Sequence, residues 1–331
     1  MTKTNLNHLL QGLYRMRKLF FLAILPITPY ISNSQILKER RIYYVDCSYS
    51  MKQNGIWNLV KDNLKEAIDN VSDETTELII CPYAFNSSSS VTFHLESATE
   101  KGKMILKKYI DHLPMNKNTK TYHEKPLIDF YNKRIAPQRI NYFFLMTDGV
   151  SDHIVEDKNH DPFPDLLRQW HNKFQGKFVY GFYVMLNKKA MGYREALKVI
   201  GTRENQRAHH LWAIESANVN INLIRLNPSA IINVKSEKFF DIPIYGTCHG
   251  IAIKASFPSN SNIKVKNTQI KNGKLRVFVT VKGDIHSLPE EQTLRATITM
   301  TGGGKFDFLV TDAITVKCLR KKERTLRINI R

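Results

Sequence analysis

The sequence predicts an α/β domain built on a doubly wound, mostly parallel sheet, followed by an all-β domain. Three observations carry this. Apolar runs at Ile42–Val45, Glu77–Phe85, Ile140–Thr147 and Lys177–Leu186 alternate with segments of helical periodicity, the pattern of a sheet covered on both faces. From Pro228 onward the helical period disappears and short alternating runs take over. The chain has 331 residues, more than one typical domain. The expected division is a leader at 1–34, an α/β domain at 38–227 and an all-β domain at 228–331.

Within the leader, Met16 and the basic pair Arg17-Lys18 precede the apolar stretch Leu19–Ile31. That stretch is too short to span a bilayer and is broken by Pro26 and Pro29. Ser32-Asn33-Ser34 supplies small residues before a cut at Gln35, so the segment reads as a signal peptide and the protein as exported: periplasmic, surface-bound or secreted. The Lys-, Asn- and Ile-rich composition leans bacterial. Four cysteines fit an exported chain. Cys47 with Cys81 and Cys248 with Cys318 would bridge within domains, and free buried thiols fit equally well.

Ile42–Val45, β-branched and aromatic, reads as a buried strand that runs into Asp46, Ser48 and Ser50. Every second side chain of an extended segment points the same way, so one carboxylate and two hydroxyls converge at the C-terminal edge of the strand. In an open α/β sheet this edge is where ligands bind, and hard oxygen donors select hard cations. Apolar spacing then predicts a helix over 58–71, with Trp57 joining its buried face, and a strand at Glu77–Phe85 with Val91–Leu95 as its hairpin partner. Thr99–Leu113 reads as a lysine-rich helix ended by Pro114, and Glu124–Ile135 as a helix with Pro126 in its first turn. Helices at Pro164–Phe174 and Tyr193–Ile200 flank the strand Lys177–Leu186, and Ile221–Leu226 reads as the last strand of the series. The adjacent His209-His210 would point to opposite sides, a poor metal pair, and are read as surface residues.

Asp46-Cys47-Ser48-Tyr49-Ser50-Met51 resembles the Asp-x-Ser-x-Ser-Met signature of von Willebrand factor A domains, and Thr147-Asp148-Gly149 resembles that family's later Thr-Asp-Gly. The resemblance implies a Rossmann-like domain carrying a metal-ion-dependent adhesion site. Ser48, Ser50 and Thr121 would bind the metal through hydroxyls, with Thr119 the alternative to Thr121, and Asp46 and Asp148 would hold its waters. The implied cation is Mg²⁺, with Mn²⁺ or Ca²⁺ as substitutes. Tyr49, His123, Val150 and Ser151 neighbour the site in sequence and are candidates for the contact surface.

Beyond Pro228, runs at 231–234, 250–257, 262–266, 274–282, 294–300, 306–311, 314–317 and 325–330 suggest a β-sandwich, immunoglobulin-like in strand number, with Asn272-Gly273 as a hairpin turn. The formal net charge of +19 favours an anionic partner or surface, and no nucleic-acid motif accompanies it. The function that follows is adhesion: a protein or matrix ligand supplies a carboxylate to the cation, and the chain is not an enzyme. A structural subunit of a cell-envelope assembly with a purely stabilising metal is the alternative. Hydrolysis ranks below both, since Ser48 replaces the second carboxylate of an Asp-x-Asp and no Gly-x-Ser-x-Gly elbow is present.

Overall fold

A computed structural model describes residues 38–319, apart from 54, 85–91, 117–119, 150–151, 153–161, 175–176, 187–190, 216–220, 235–236, 247, 249, 284–287, 301–305 and 312. The leader, the turns at 86–90 and 302–304 and the run 325–330 lie outside the described residues.

Strand β1 (Glu39–Asp46) is the centre of a six-stranded sheet. The other strands are β2 (Glu77–Tyr83), β3 (Phe93–Leu95), β4 (Ile140–Thr147), β5 (Val179–Met185) and β6 (Leu211–Glu215), in the order β3-β2-β1-β4-β5-β6. All neighbours run parallel except the short β3, which pairs antiparallel to β2. This is a doubly wound order, and it reverses direction beside β1. Strands β1, β2, β4 and β5 are almost wholly buried, as expected of a parallel sheet with both faces covered.

One face is covered by α4 (Glu124–Asp129, continued by a π-helical turn over Phe130–Arg134), α5 (Pro162–Phe174) and α6 (Met191–Ile200). Here Phe130 stacks on Trp170 at 5.9 Å, and Trp170 lies so close to β5 that a Cβ on Gly181 would meet its ring at 2.7 Å. The other face is covered near β1 and β2 by α2 (Trp57–Asp69) and α3 (Glu100–Asp111). Thr99 caps α3, its hydroxyl accepting the Gly102 amide at 3.2 Å.

Two further sheets follow: β10-β13-β15-β8, and β11-β12-β9-β7-β14. Their strands are β7 (Ile221–Leu226), β8 (Ser229–Asn233), β9 (Phe239–Tyr245), β10 (Ile251–Ser256), β11 (Ile263–Lys271), β12 (Lys274–Val281), β13 (Glu291–Met300), β14 (Phe306–Leu309) and β15 (Ala313–Leu319). Apolar residues of both sheets share one core, including Ile242, Val277, Leu294 and Val316. Asn272 and Gly273, at φ of 50° and 68°, form the tight turn between β11 and β12. Two pairings, β14 with β7 and β15 with β8, are parallel.

One expectation is overturned. Ile221–Leu226 does not close the six-stranded sheet; Leu211–Glu215 does, and β7 pairs with β14 and β9 instead. The physical reason is that β7 is apolar on both sides. Ile221 and Leu223 join the core of the α/β region, while Ile224 and Leu226 join the core of the two C-terminal sheets. On that α/β face, β7 and β14 take the place of a helix over β5 and β6. A row of stacked rings crosses four strands, Tyr43 to Phe144 (4.6 Å), Phe144 to Phe182 (4.9 Å) and Phe182 to Trp212 (5.1 Å), and Phe308 of β14 meets Phe182 edge-on at 5.1 Å. The short helix α7 (Arg203–His209) ends at His210 in the left-handed region, φ 52°, which turns the chain into β6. His209 is exposed, and His210 lies against Tyr180 at 4.7 Å.

Candidate metal-binding edge of the parallel sheet

Strand β1 delivers Asp46 at its last residue, and the carboxylate is fully buried. Asp46 Oδ1 accepts the Ser48 amide at 2.9 Å, an Asx turn that bends the chain off the strand. Ser48 and Ser50 then face each other, Oγ to Oγ at 2.8 Å, and Ser50 lies in the short helix α1 (Tyr49–Gln53), anchored by the fully buried Met51. Tyr49 is half-buried at the start of that turn. The Cys47 backbone ties neighbouring segments together: its amide donates to Tyr83 O at 3.1 Å and its carbonyl accepts the Asn116 amide at 2.9 Å.

Strand β4 delivers Thr147 and Asp148, both fully buried. Thr147 Oγ1 donates to Asp46 Oδ2 at 2.8 Å and accepts the Gly149 amide at 3.0 Å. His123 Nε2 lies 3.1 Å from the same hydroxyl. A hydroxyl has one proton and two lone pairs, so with its proton on Asp46 it takes the His123 contact as an acceptor, which places the imidazole proton on Nε2. Thr121 is buried and is clamped to the loop after β4: its amide donates to Asp152 Oδ2, and the Asp152 amide returns a bond to Thr121 O at 2.8 Å.

The sheet edge therefore gathers Asp46, Ser48, Ser50 and Asp148, with the Thr121 loop bound to the same cluster through His123 and Asp152. His123 is not a surface residue: it is buried, and its ring packs edge-on against Phe163 at 5.5 Å. Thr119, Val150 and Ser151 lie outside the described residues. Thr147 and Asp152 escaped the sequence reading as working residues. The signal for Thr147 was its place directly before Asp148 at the end of an apolar strand; Asp152 had none.

Burial and the neighbouring Asp148 carboxylate push Asp46 up to about 7, although hydrogen bonds from Ser48 and Thr147 pull the other way. None of these groups is a cation. Two buried carboxylates beside hydroxyls make a hard, all-oxygen donor set that a Mg²⁺-like ion would relieve of repulsion. No group of three or more His, Cys, Asp or Glu is placed to hold a metal among the described residues, so any cation here would depend on the hydroxyls. All four cysteines are thiols outside any disulfide, and Cys47, Cys81 and Cys318 are buried. Among the described residues no helix is long and apolar enough to cross a membrane.

No family model matches the sequence, and no curated protein matches it. Solved structures similar to the chain include a von Willebrand factor type A protein from Catenulispora acidiphila, at 14% identity and a TM-score of 0.40, covering 88% of this chain and 69% of that one. The pilus adhesin SpaC from Lactobacillus rhamnosus GG, in its open conformation, is similar at 11% identity and 0.39, covering 85% and 43%. Proximal thread matrix protein 1 from the mussel byssus, with a zinc-occupied MIDAS motif, is similar at 14% identity and 0.39, covering 56% and 48%. The chain thus spans less than half of the last two. Likenesses this distant carry no functional inference, which has to come from the side chains of this chain.

Proposed function

We propose that the chain is a non-enzymatic protein-interaction module that docks a carboxylate of its partner through a divalent cation at the Asp46–Asp148 edge. The observation that carries this reading is the pair of fully buried carboxylates, Asp46 and Asp148, set beside Ser48 and Ser50. Ser48, Ser50 and Thr121 would hold the ion through neutral hydroxyls, with Asp46 and Asp148 behind them. A Mg²⁺ ion so held would stay electrophilic and would supply binding for an acidic partner group. Thr147 and His123 orient Asp46, and Asp152 holds the Thr121 loop. The basic surface favours an acidic protein or matrix ligand, and the two C-terminal sheets, read as an immunoglobulin-like sandwich, would carry the docking domain on an exported protein.

The test is calorimetric titration of Mg²⁺, then Mn²⁺, into the metal-stripped full chain, beside Asp46→Ala. One-site binding lost in the variant supports the metal site; no heat and no rise in melting temperature in a folded protein overturns it. The burial of both carboxylates also favours a second reading, in which the ion only stabilises the loop cluster. Docking requires that Asp148→Ala abolish metal-dependent capture of acidic protein ligands while the fold persists. Metal-dependent melting with no such capture selects the stabilising role.

A further inference from the structure

At the opposite end of β1 from Asp46, where the α/β region meets β7 and β9, lies a cavity of about 200 Å³. It is lined by Glu39 and Arg41 of β1, Thr76 before β2, Asn222 and Arg225 of β7, and Tyr245 of β9. Its floor is charged and shielded. The side chains of Glu39, Arg41 and Arg225 are only 8%, 12% and 6% exposed. Glu39 accepts from Arg41 Nη2 at 2.9 Å and from Arg225 Nε at 3.3 Å, so one carboxylate serves two guanidiniums. Asp73 also lines the cavity, but it is exposed and its Oδ1 is committed to the amide and hydroxyl of Thr75. The buried part therefore holds one positive charge in excess, which is costly unless something pairs with it.

A further feature points to an occupant. Arg225 sits over the Tyr245 ring at 4.5 Å, which fixes its plane, and only its Nε is bonded to Glu39, so its two terminal nitrogens remain donors among the described residues.

We propose that this cavity binds a small oxyanion, a carboxylate or phosphate group that takes the free N–H fork of Arg225. Planar guanidinium suits either group. The site does not depend on the cation at the other end of the strand.

The experiment is calorimetric and thermal titration of the full chain with sodium malonate and, separately, with inorganic phosphate, each against sodium chloride at matched ionic strength. Saturable one-site binding with a rising melting temperature supports the proposal, and the tighter of the two anions identifies the group. Arg225→Lys keeps the charge but loses the fork and should weaken binding by at least about tenfold. Neither anion stabilising the protein more than chloride, or a folded Arg225→Lys protein that keeps wild-type affinity, would overturn it.

Discussion

Thr147 Oγ1 gives its one proton to Asp46 Oδ2 at 2.8 Å, and in doing so becomes the acceptor that orients His123. Thr147→Val keeps the shape and removes all three contacts, with Asp46, Gly149 and His123. The expected cost is about 2–3 kcal/mol in urea unfolding, with a parallel loss of Mg²⁺ affinity by calorimetry. Thr147→Ser, which keeps the hydroxyl, should recover most of both. Equal losses in the two variants would mean that the methyl, not the hydroxyl, matters.

Glu39 holds Arg41, two positions on, together with Arg225, 186 positions on. Glu39→Gln leaves two buried guanidiniums facing each other without a carboxylate and should cost about 3–5 kcal/mol. Adding Arg225→Gln relieves part of that repulsion, so the double variant should be destabilised by less than the sum of the singles. Additive denaturation midpoints would show that the two side chains act separately.

The Asp129 carboxylate shows how acid should weaken the fold. Burial alone would raise its pKa, but hydrogen bonds from Arg134 (2.8 Å) and Tyr44 (2.8 Å) outweigh it, and the group sits below its ordinary 3.8. With a lower pKa folded than unfolded, the native state binds fewer protons, so this stabilisation is present above about pH 4 and is lost as pH falls through the folded value. Asp129→Asn should therefore be less stable than wild type at about pH 6, and the gap should narrow toward about pH 2.5. A gap that is constant across urea titrations at the two pH values would refute the linkage.

Phe308 closes the ring row over β5 and β6 from a different sheet. Phe308→Ala should cost about 3 kcal/mol, the low end for losing a packed Phe, because its own side chain is only partly covered. The measurement is the urea midpoint together with the emission of Trp212, which the ring touches at 5.7 Å. An unchanged midpoint would mean that the row is held by Phe182 and Trp212 alone.

Gly181 leaves no room for a methyl group: a Cβ would meet Trp170 and Leu211 at 2.7 Å. Gly181→Ala should cost about 1–3 kcal/mol by forcing the indole off its seat, read as a lowered melting temperature. Trp170→Phe in the same chain should restore part of the loss; no restoration would place the strain elsewhere.

What could be read in the sequence was local. The run into Asp46 and the run into Asp148 each carry their chemistry within a few residues, so strand, edge and donors were legible together. The choice between Leu211–Glu215 and Ile221–Leu226 as the last strand was not. Both are short apolar runs, and their partners lie far off in opposite directions: Leu211–Glu215 pairs with Gly181–Met185 before it, and Ile221–Leu226 with Phe306–Leu309 well after it. Phe239–Tyr245, interrupted by Pro243, gave no strand signal because its alternation is weak. His123 looked like a loop residue since nothing beside it in sequence announces Phe163 and Tyr183 as its neighbours. Glu39, Arg41 and Arg225 were ordinary charges until the fold brought β7 onto the end of β1.

The two-sided strand β7 has a consequence for how this protein could be taken apart. A cut after residue 227 would keep β7 but strip it of β9 and β14, leaving Ile224 and Leu226 in water; a cut before 221 would uncover the Phe182–Trp212 end of the ring row. Neither half is a detachable cassette. Load applied at the Asp46 edge would pass to the C-terminal sheets through β7, whose side chains belong to both cores.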